Sequence, residues 1–545
     1  MSEFVRRSVA EAMVEGLIAN GIETLFALPG VQNDPFFDAL FHARERIRVI
    51  HPRHEQAAGY MALGAALATG RPQAMSVVPG PGFLNAAAAL ATAYSCNAPV
   101  FSVIGQIPLH AIGRRRGELH EIEDQSGILA TFSGWSGMAR APAEVPGLIA
   151  SAFRAMLSGR PRPAAIEVPM DVWRLAAPLP PQRAAEPEPP PPVDADAVER
   201  AAALLGAAES PMLLVGGGAL DCAEDVRAIA EALDAPVLSF RMGRGVLDAR
   251  HPLEVRPPVG HRLWAEADAV LAVGTRGSTA FGGWGTAGLR IVRVEADAEE
   301  IARFGAPDVA LHGDARAILP MLRAALPGRN RARPGRRAAI AALKEEVMAR
   351  VAARLAPQAA ILQALRDALP PDGVLVNELT QIGYAAGLLF PVHAPRSFLS
   401  SGAQGTLGWG FGAALGAKAV LGARPVLSIA GDGGFLFQVQ ELATAVQHRI
   451  PLVTVVFNDN AFGNVRLLQD RLFGGRRIAS DLVNPDFVRL AECFGAEGLR
   501  AETPAALRAA IERGFATADR PTLIEYPLGQ LPNPWEFILL PKARG

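Results

Sequence analysis

Short apolar runs recur along the whole chain and alternate with longer amphipathic or small-residue stretches. The runs are rich in Val, Ile and Leu and nearly continuous, which is typical of strands covered on both faces of a parallel sheet. The intervening stretches have helical length, so the repeated unit is strand–helix–strand. The predicted strands are 24–28, 47–50, 73–78, 99–104, 163–168, 211–218, 236–240, 269–274, 289–296, 373–379, 425–431, 451–458 and 521–526.

Two stretches interrupt this alternation. Residues 176–193 (AAPLPPQRAAEPEPPPPV) are too Pro-rich for a helix or central strand, and they are predicted to run as an extended connector. Residues 324–338 are basic and broken by Pro and Gly. We therefore predict three α/β domains, each a doubly wound parallel sheet, at 1–175, 194–323 and 339–545, with the first and third alike in layout.

Composition excludes several classes of protein. The chain has 545 residues, half of them hydrophobic, which is too many for one core. Its net charge of −1 indicates neither a nucleic-acid nor an anionic-membrane partner. Cys96, Cys222 and Cys493 are widely spaced, so neither a disulfide framework nor a zinc site is indicated. The N-terminus lacks a secretory pattern and no apolar stretch is long enough to span a membrane, so we expect a soluble, cytoplasmic protein.

The most informative segment lies in the third predicted domain. The apolar run 425–430 ends in Gly431-Asp432-Gly433-Gly434, and the run 451–457 ends in Asn458-Asp459-Asn460. Neighbouring parallel strands bring such ends to one edge of a sheet, where ligands usually bind. Asp432 and Asp459 could share one hard cation, and the glycine amides could hold phosphate oxygens. The pattern indicates a site for Mg²⁺ and a diphosphate.

This segment resembles the diphosphate-binding signature of thiamine diphosphate (ThDP) enzymes, which runs from GDG to a pair of Asn or Asp residues. The family usually has Asn-Asn where this chain has Asn458-Asp459, and Asp is an equally good Mg²⁺ ligand. The resemblance implies Asp432, Asp459 and the carbonyl of Ala461 as metal ligands. In the third domain it implies cofactor contacts from Thr380, Gln381, Gly405, Leu407, Gly431, Asp432, Gly433, Gly434, Asp459, Ala461, Phe462 and Gly463.

Gly405 and Leu407 belong to residues 400–418 (SSGAQGTLGWGFGAALGAK), which resemble the family segment that runs beneath the cofactor. The resemblance implies that the carbonyl of Gly405 receives the 4′-amino group and that Leu407 forces the cofactor into a V shape. Without this context, Leu407 would be interpreted as an ordinary core leucine.

The first predicted domain contributes a carboxylate. Glu55 opens an Ala/Gly-rich helix, a position where an acid is often only a favourable partner of the helix dipole. However, the ordered motifs LPGV (28–31), RHEQAA (53–58), GPGFLN (80–85) and GQIP (105–108) resemble the pyrimidine-binding domain of ThDP enzymes related to acetolactate synthase. The resemblance implies that Glu55 hydrogen-bonds N1′ of the aminopyrimidine. Further cofactor contacts are implied for Pro29, Gly30 and Asn85.

Because the two halves of the cofactor lie on different domains, the family builds each site between two subunits. The resemblance therefore implies a homodimer or homotetramer. Gln106 and Gln125 are our candidates for polar contacts with a reaction intermediate, and we count them with Glu55 as catalytic candidates. The predicted substrate pocket consists of Val31, Phe462, Val465 and Leu468.

The nearest resemblance is to the catalytic subunit of acetolactate synthase, with three departures. Leu468-Gln469 stands where those enzymes carry a Trp that selects the acceptor ketoacid. Segments 257–264 and 274–283 differ from the family's flavin-binding segments, which argues against FAD. Val31 replaces a second glycine and narrows the space near the reacting carbon.

We therefore predict a ThDP- and Mg²⁺-dependent enzyme that cleaves or forms carbon–carbon bonds in 2-oxoacids or acyloins, like acetolactate synthase. The sequence leaves open a 2-oxoacid decarboxylase or a 2-hydroxyacyl lyase without ligase activity. A flavin-linked 2-oxoacid oxidase and a non-catalytic protein with the same fold are further alternatives.

Overall fold

A computed structural model of the chain describes residues 4–545. The first domain contains a six-stranded parallel sheet in the order β3-β2-β4-β5-β7-β6 and a two-stranded antiparallel ribbon of β1 and β8. Its elements are β1 (Val5–Ser8), α1 (Val9–Ala19), β2 (Thr24–Ala27), α2 (Asp34–His42), β3 (Arg48–Ile50), α3 (Glu55–Thr69), β4 (Gln73–Val77), α4 (Pro81–Cys96), β5 (Val100–Gln106), α5 (Gln125–Ala130), β6 (Trp135–Met138), α6 (Val145–Leu157), β7 (Ala164–Pro169) and β8 (Ala176–Leu179).

The central domain has a second six-stranded parallel sheet, in the order β11-β10-β9-β12-β13-β14. This is the strand order of dinucleotide-binding folds. Its elements are α7 (Ala195–Ala207), β9 (Pro211–Val215), α8 (Ala223–Leu233), β10 (Val237–Ser239), β11 (Glu254–Val255), α9 (Pro257–Glu266), β12 (Ala269–Val273), β13 (Arg290–Glu295), α10 (Ala298–Ile301), β14 (Val309–His312) and α11 (Ala315–Ala325).

The third domain repeats the strand order of the first, as β16-β15-β17-β18-β20-β19. Its elements are α12 (Arg336–Arg354), α13 (Ala356–Ala368), β15 (Val374–Asn377), α14 (Gln381–Leu389), β16 (Phe398–Leu399), α15 (Trp409–Leu421), β17 (Val426–Gly431), α16 (Asp432–Leu436), α17 (Glu441–Gln447), β18 (Val453–Asn458), α18 (Gly463–Leu472), α19 (Phe487–Cys493), β19 (Glu497–Arg500), α20 (Pro504–Ala516), β20 (Thr522–Pro527) and α21 (Trp535–Ile538).

Alternate residues of each strand point into different cores, which confirms the prediction of doubly wound sheets. In the first sheet, Leu25 and Phe101 pack with α1, α2 and α6, whereas Phe26 and Val100 pack with α3 and α4. The second of these cores continues into the third domain, where it includes α15 and Val376 of β15. The first and third sheets therefore share one core, in which α3 packs directly on α15.

Each predicted strand corresponds to a strand of the structure, and most of the strands that the sequence did not predict lie at sheet edges. Five of them, β6, β11, β14, β16 and β19, are outermost in their sheets. The other two, β1 and β8, form the ribbon, so the predicted connector 176–193 begins with a short antiparallel strand. An edge strand pairs on one side only and needs no continuous apolar run. The exact domain limits stay predictions.

Candidate active site

Asp432 and Asp459 follow adjacent strands at the carboxyl edge of the third sheet. Asp432 comes directly after β17, and Asp459 directly after β18. Asp432 is 1% exposed, and the side chain of Asp459 is 7% exposed. Burial raises the pKa of both carboxyls, and the charge of Asp432 helps to raise that of Asp459 to about 6. Two buried carboxylates that repel each other are the natural ligands of a hard cation.

A third side chain at this site, Asn484, was missed by the sequence analysis. Its amide nitrogen donates to Asp432 Oδ2 at 2.6 Å and lies 3.0 Å from Asn458 Oδ1. Its own buried Oδ1 has no hydrogen-bond partner within residues 4–545. The backbone N–H of Ala461 also donates to Asp432, at 3.2 Å. A free acceptor oxygen on a side chain that contacts Asp432, with Asp459 at the end of the neighbouring strand, fits a divalent cation, so the donor set agrees with Mg²⁺.

Two glycines next to the carboxylates, Gly433 after β17 and Gly463 at the start of α18, are required by close packing. A methyl group on Gly433 would lie 2.6 Å from the ring of Phe462, and one on Gly463 would lie 2.4 Å from Asp459 Oδ2. Phe462 therefore lies against the Gly431–Gly434 turn, and Gly463 lies against the second carboxylate. These predicted cofactor residues are brought together around one small volume.

Thr380 and Gln381 lie where the strand order of the third sheet reverses, between β15 and β17. Ligands of open α/β sheets bind at such points. The Thr380 hydroxyl caps α14 by accepting from the N–H of Ile382 and Gly383. The Gln381 amide donates to Asp459 Oδ2 at 2.6 Å. The sequence predicted both residues near the diphosphate, and the structure brings Gln381 to a predicted metal ligand.

Glu55 lies at the corresponding edge of the first sheet, as the first residue of α3. The Asn85 side chain donates to Glu55 Oε2 at 3.0 Å. The loops after β2 and β4 meet beside it, since a methyl on Gly30 would lie 2.4 Å from Val78. Pro29 precedes Gly30 in the first of these loops. The loops after β2 and β4 therefore converge at this edge of the first sheet.

Gln106 and Gln125 belong to a buried network rather than to an open pocket. Both amides donate to Glu167, at 2.9 and 2.8 Å, and Ser126 also donates to it. Gln125 further accepts from the N–H of Gly80 at 2.9 Å. Burial raises the pKa of Glu167. The network ties the loops after β4 and β5 to strand β7, so its observed contacts are those of positioning groups. Contact with an intermediate stays a prediction for Gln106 and Gln125.

Several residues predicted to line the cofactor and the substrate are exposed in the single chain. Val31 is 52% exposed, Leu407 39%, Val465 47% and Leu468 39%. Gly405, two residues before Leu407, has a φ of +59°. Their role in binding the cofactor or the substrate stays a prediction.

Within one chain, Glu55 and the Gly405–Leu407 segment contact different parts of α4. Among residues 4–545, the Glu55 carboxylate forms a side-chain hydrogen bond only with Asn85, near the start of α4. Thr406 instead contacts Thr92, at 3.3 Å, near the end of α4. The rise of an α-helix places Thr92 about 10 Å from Asn85.

Three family models match this chain in order. They describe the N-terminal TPP binding domain, the central domain and the C-terminal TPP binding domain of thiamine pyrophosphate enzymes, at residues 7–128, 198–322 and 379–526. The chain belongs to the thiamine pyrophosphate enzyme family. Thiamine pyrophosphate is another name for ThDP, so the match confirms the resemblance on which the predicted fold and cofactor class depend.

Full-length relatives agree with this assignment. A protein of Pseudomonas aeruginosa named "Probable 2-ketoarginine decarboxylase AruI" is 36% identical over 90% of this chain and 88% of the relative. The "Probable acetolactate synthase large subunit" of Methanococcus aeolicus is 30% identical over 95% and 92%. The "Acetolactate synthase isozyme 3 large subunit" of Escherichia coli is 30% identical over 91% and 90%.

A cavity of about 630 Å³ lies between the three domains, at the carboxyl edge of the central sheet. Gly217, Arg276 and Glu295 of the central domain line it, together with Cys96 and Leu399 from the other two domains. The prediction that FAD is not bound stays a prediction. Among residues 4–545, none of the helices combines the length and the apolar character needed to cross a bilayer.

Proposed function

We propose that this enzyme uses ThDP and Mg²⁺ to decarboxylate a 2-oxoacid. The observation that carries the proposal is the pair of buried carboxylates, Asp432 and Asp459, beside a glycine turn at the edge of a TPP-binding domain. When bound, the cofactor supplies the electron sink that such a decarboxylation needs.

The residues of this chain have separate tasks in that reaction. Asp432 and Asp459 would hold Mg²⁺, with the carbonyl of Ala461 as a further ligand, and Gln381 would orient Asp459 through its hydrogen bond of 2.6 Å. Glu55 would hold and exchange a proton at N1′ of the aminopyrimidine, with Asn85 orienting its carboxylate. The backbone amides of the turn around Gly433 would bind the diphosphate, and the packing of Gly433 on Phe462 would hold this turn in place.

A complete site requires a second copy of the chain in this proposal. Glu55 and the Gly405–Leu407 segment contact different ends of α4, and Val31, Leu407, Val465 and Leu468 are exposed. A homodimer that apposes the first domain of one protomer to the third domain of its partner would cover these apolar side chains. A homotetramer would be two such dimers.

The substrate is proposed to be a 2-oxoacid with a side chain longer than that of pyruvate. The relative named as a 2-ketoarginine decarboxylase supports decarboxylation without ligation. Leu468-Gln469 also stands where acetolactate synthases have the Trp that selects an acceptor. The relatives named as acetolactate synthases support carboligation as the second candidate.

The test is a panel of 2-oxoacids, including pyruvate and 2-ketoarginine, with and without an aldehyde or 2-oxoacid acceptor. We expect ThDP- and Mg²⁺-dependent release of carbon dioxide that does not need an acceptor. Ligation product formed in proportion to carbon dioxide would favour the carboligase. A flavin absorbance band of the purified protein would favour an oxidase, and the absence of turnover with every substrate would contradict the proposal.

A further inference from the structure

Glu378 is a buried acid that the proposed chemistry does not use. It follows β15 at the point where the strand order of the third sheet reverses, and it is 1% exposed. Burial raises the pKa of Glu378 to about 7, and no basic side chain of residues 4–545 is among the groups that shift it. A buried carboxyl without a cation is costly unless hydrogen bonds satisfy its oxygens, so the groups that Glu378 contacts indicate its task.

The carboxylate holds the segment that the sequence places beneath the cofactor. Glu378 Oε1 accepts from the N–H of Gly408 at 2.8 Å, and Oε2 accepts from the N–H of Gly410 at 3.3 Å. Gly408 has a φ of +76° and directly follows Leu407. Both hydrogen bonds therefore fix the backbone that presents Leu407.

The same carboxylate packs against the diphosphate turn. A methyl group on Gly434 would lie 2.1 Å from Glu378 Oε1, and one on Gly410 would lie 2.7 Å from Oε2. Glu378 therefore lies between the start of α15 and the Gly431–Gly434 turn, in contact with both. The glycines at 410 and 434 leave the space that its side chain fills.

We propose that Glu378 is a positioning residue that fixes the segment 405–410 against the Gly431–Gly434 turn. It thereby sets the distance between Leu407 and the place where the diphosphate is proposed to bind. This inference rests on the proposed ThDP function. Glu378 need not touch the cofactor, because its effect passes through the backbone of Gly408 and Gly410.

The test is Glu378→Gln in the full-length protein stripped of cofactor. The amide keeps the shape of the side chain and its contact with Gly434, but it has only one acceptor oxygen for two N–H donors. In excess Mg²⁺, we expect Glu378→Gln to bind ThDP about tenfold more weakly than the wild type. Binding of inorganic pyrophosphate should be unchanged, because the diphosphate turn keeps its conformation. Tryptophan fluorescence can report both titrations, since Trp409 lies between the two donors.

Glu254→Gln is the matched control, because Glu254 is a buried acid of the central domain, paired with Lys344 at 3.3 Å. It should lower the melting temperature and leave both affinities unchanged. If Glu378→Gln does not fold, Gly410→Ala is the second variant, because its methyl group would displace the same carboxylate. It should also weaken the binding of ThDP and leave that of pyrophosphate unchanged.

Unchanged ThDP affinity in Glu378→Gln would overturn the inference, and so would an equal loss of ThDP and pyrophosphate affinity. A wild-type protein that binds no ThDP would instead refute the proposed function. The two failures are therefore distinguishable.

Discussion

The ionisation of Asp432 and Asp459 depends on what lies between them. Burial raises the pKa of each carboxyl, and their mutual repulsion adds to the effect on Asp459, whose pKa is about 6. At these two groups the native metal-free protein binds more protons than the unfolded chain as the pH rises from about 4 to 6, so their contribution to stability falls over that range. A cation at the site replaces those protons.

The first prediction is that Mg²⁺ stabilises the protein more at pH 7.5 than at pH 5. At pH 5 the cation must compete with protons for Asp459, whereas at pH 7.5 the carboxylate is ionised and free to bind. Thermal melting with Mg²⁺ and with EDTA at both pH values measures the difference. Asp432→Ala should abolish the gain, and Asp519→Ala, at an exposed position, should keep it. An equal gain at both pH values would contradict the assignment.

The second prediction concerns Glu55. Glu55→Gln should keep the fold and most of the ThDP affinity but lose proton exchange at C2 of the bound cofactor, with a loss of activity of about 100-fold or more. The protein with bound cofactor is mixed with deuterated buffer, the exchange is stopped with acid, and the remaining C2 proton is measured by NMR. Glu45→Gln, at a side chain that is 90% exposed, is the control and should behave like the wild type. Undiminished exchange in Glu55→Gln would remove Glu55 from the mechanism.

At the scale of the element, the packing of α3 on α15 joins the first and third domains. The two helices approach so closely that a methyl on Gly64 would lie 1.9 Å from the carbonyl oxygen of Ala413, and one on Gly416 would lie 1.9 Å from that of Met61. Backbone atoms cannot move aside as a flexible side chain can. The small residues of α3, which the sequence showed only as a buried helix, therefore serve contact between domains.

The third prediction follows from this contact. Gly64→Ala should destabilise the protein by about 1–3 kcal/mol, because the methyl group forces the two helices apart. Gly147→Ala in α6 is the matched control, since nothing lies within 4 Å of the added methyl, and it should be neutral or stabilising by about 0.5–1 kcal/mol. Thermal or urea unfolding measures both. Equal effects of the two substitutions would show that α3 and α15 are not in close contact.

Element prediction from the sequence succeeded for the central strands of the three six-stranded sheets, but it missed five of their six edge strands and found only β3. The run 425–431 is buried on both faces of the third sheet and is visible as an apolar run, and it forms β17. The edge strand β19 has the sequence EGLR and no fully buried residue. An edge strand is held by backbone pairing on one side, so its side chains need no apolar pattern.

At the scale of the whole molecule, the proposed site belongs to two chains. Glu55 of one protomer would act with Asp432 and Asp459 of its partner. Each homodimer would then contain two equivalent sites, and each protomer would contribute a different half to each. This arrangement can be tested without knowledge of the substrate geometry.

The fourth prediction is that two inactive variants restore each other. In a mixed dimer of Glu55→Gln and Asp432→Ala protomers, one site carries both substitutions and the other carries neither. After co-expression or subunit exchange, we expect about a quarter of the wild-type activity per protomer. Subunit exchange between two samples of Glu55→Gln is the control and should restore nothing. Activity that stays at the level of the separate variants would place both groups in one chain.

The sequence by itself determined the central strands, their parallel arrangement and the residues that follow their carboxyl ends. These features are local, because an apolar run that ends in Gly-Asp-Gly-Gly indicates both a buried strand and the turn after it. The order of residues along the chain was therefore enough to place Asp432, Asp459 and Glu55 at sheet edges.

Only the tertiary structure decided which distant groups surround those residues. Asn484 reaches Asp432 from a loop with no motif, Gln125 is buried against Glu167, and Glu378 fills the space left by Gly410 and Gly434. Such contacts join segments that are far apart in the chain. They depend on how loops and helices pack in three dimensions, and a periodic pattern of apolar positions does not predict such contacts.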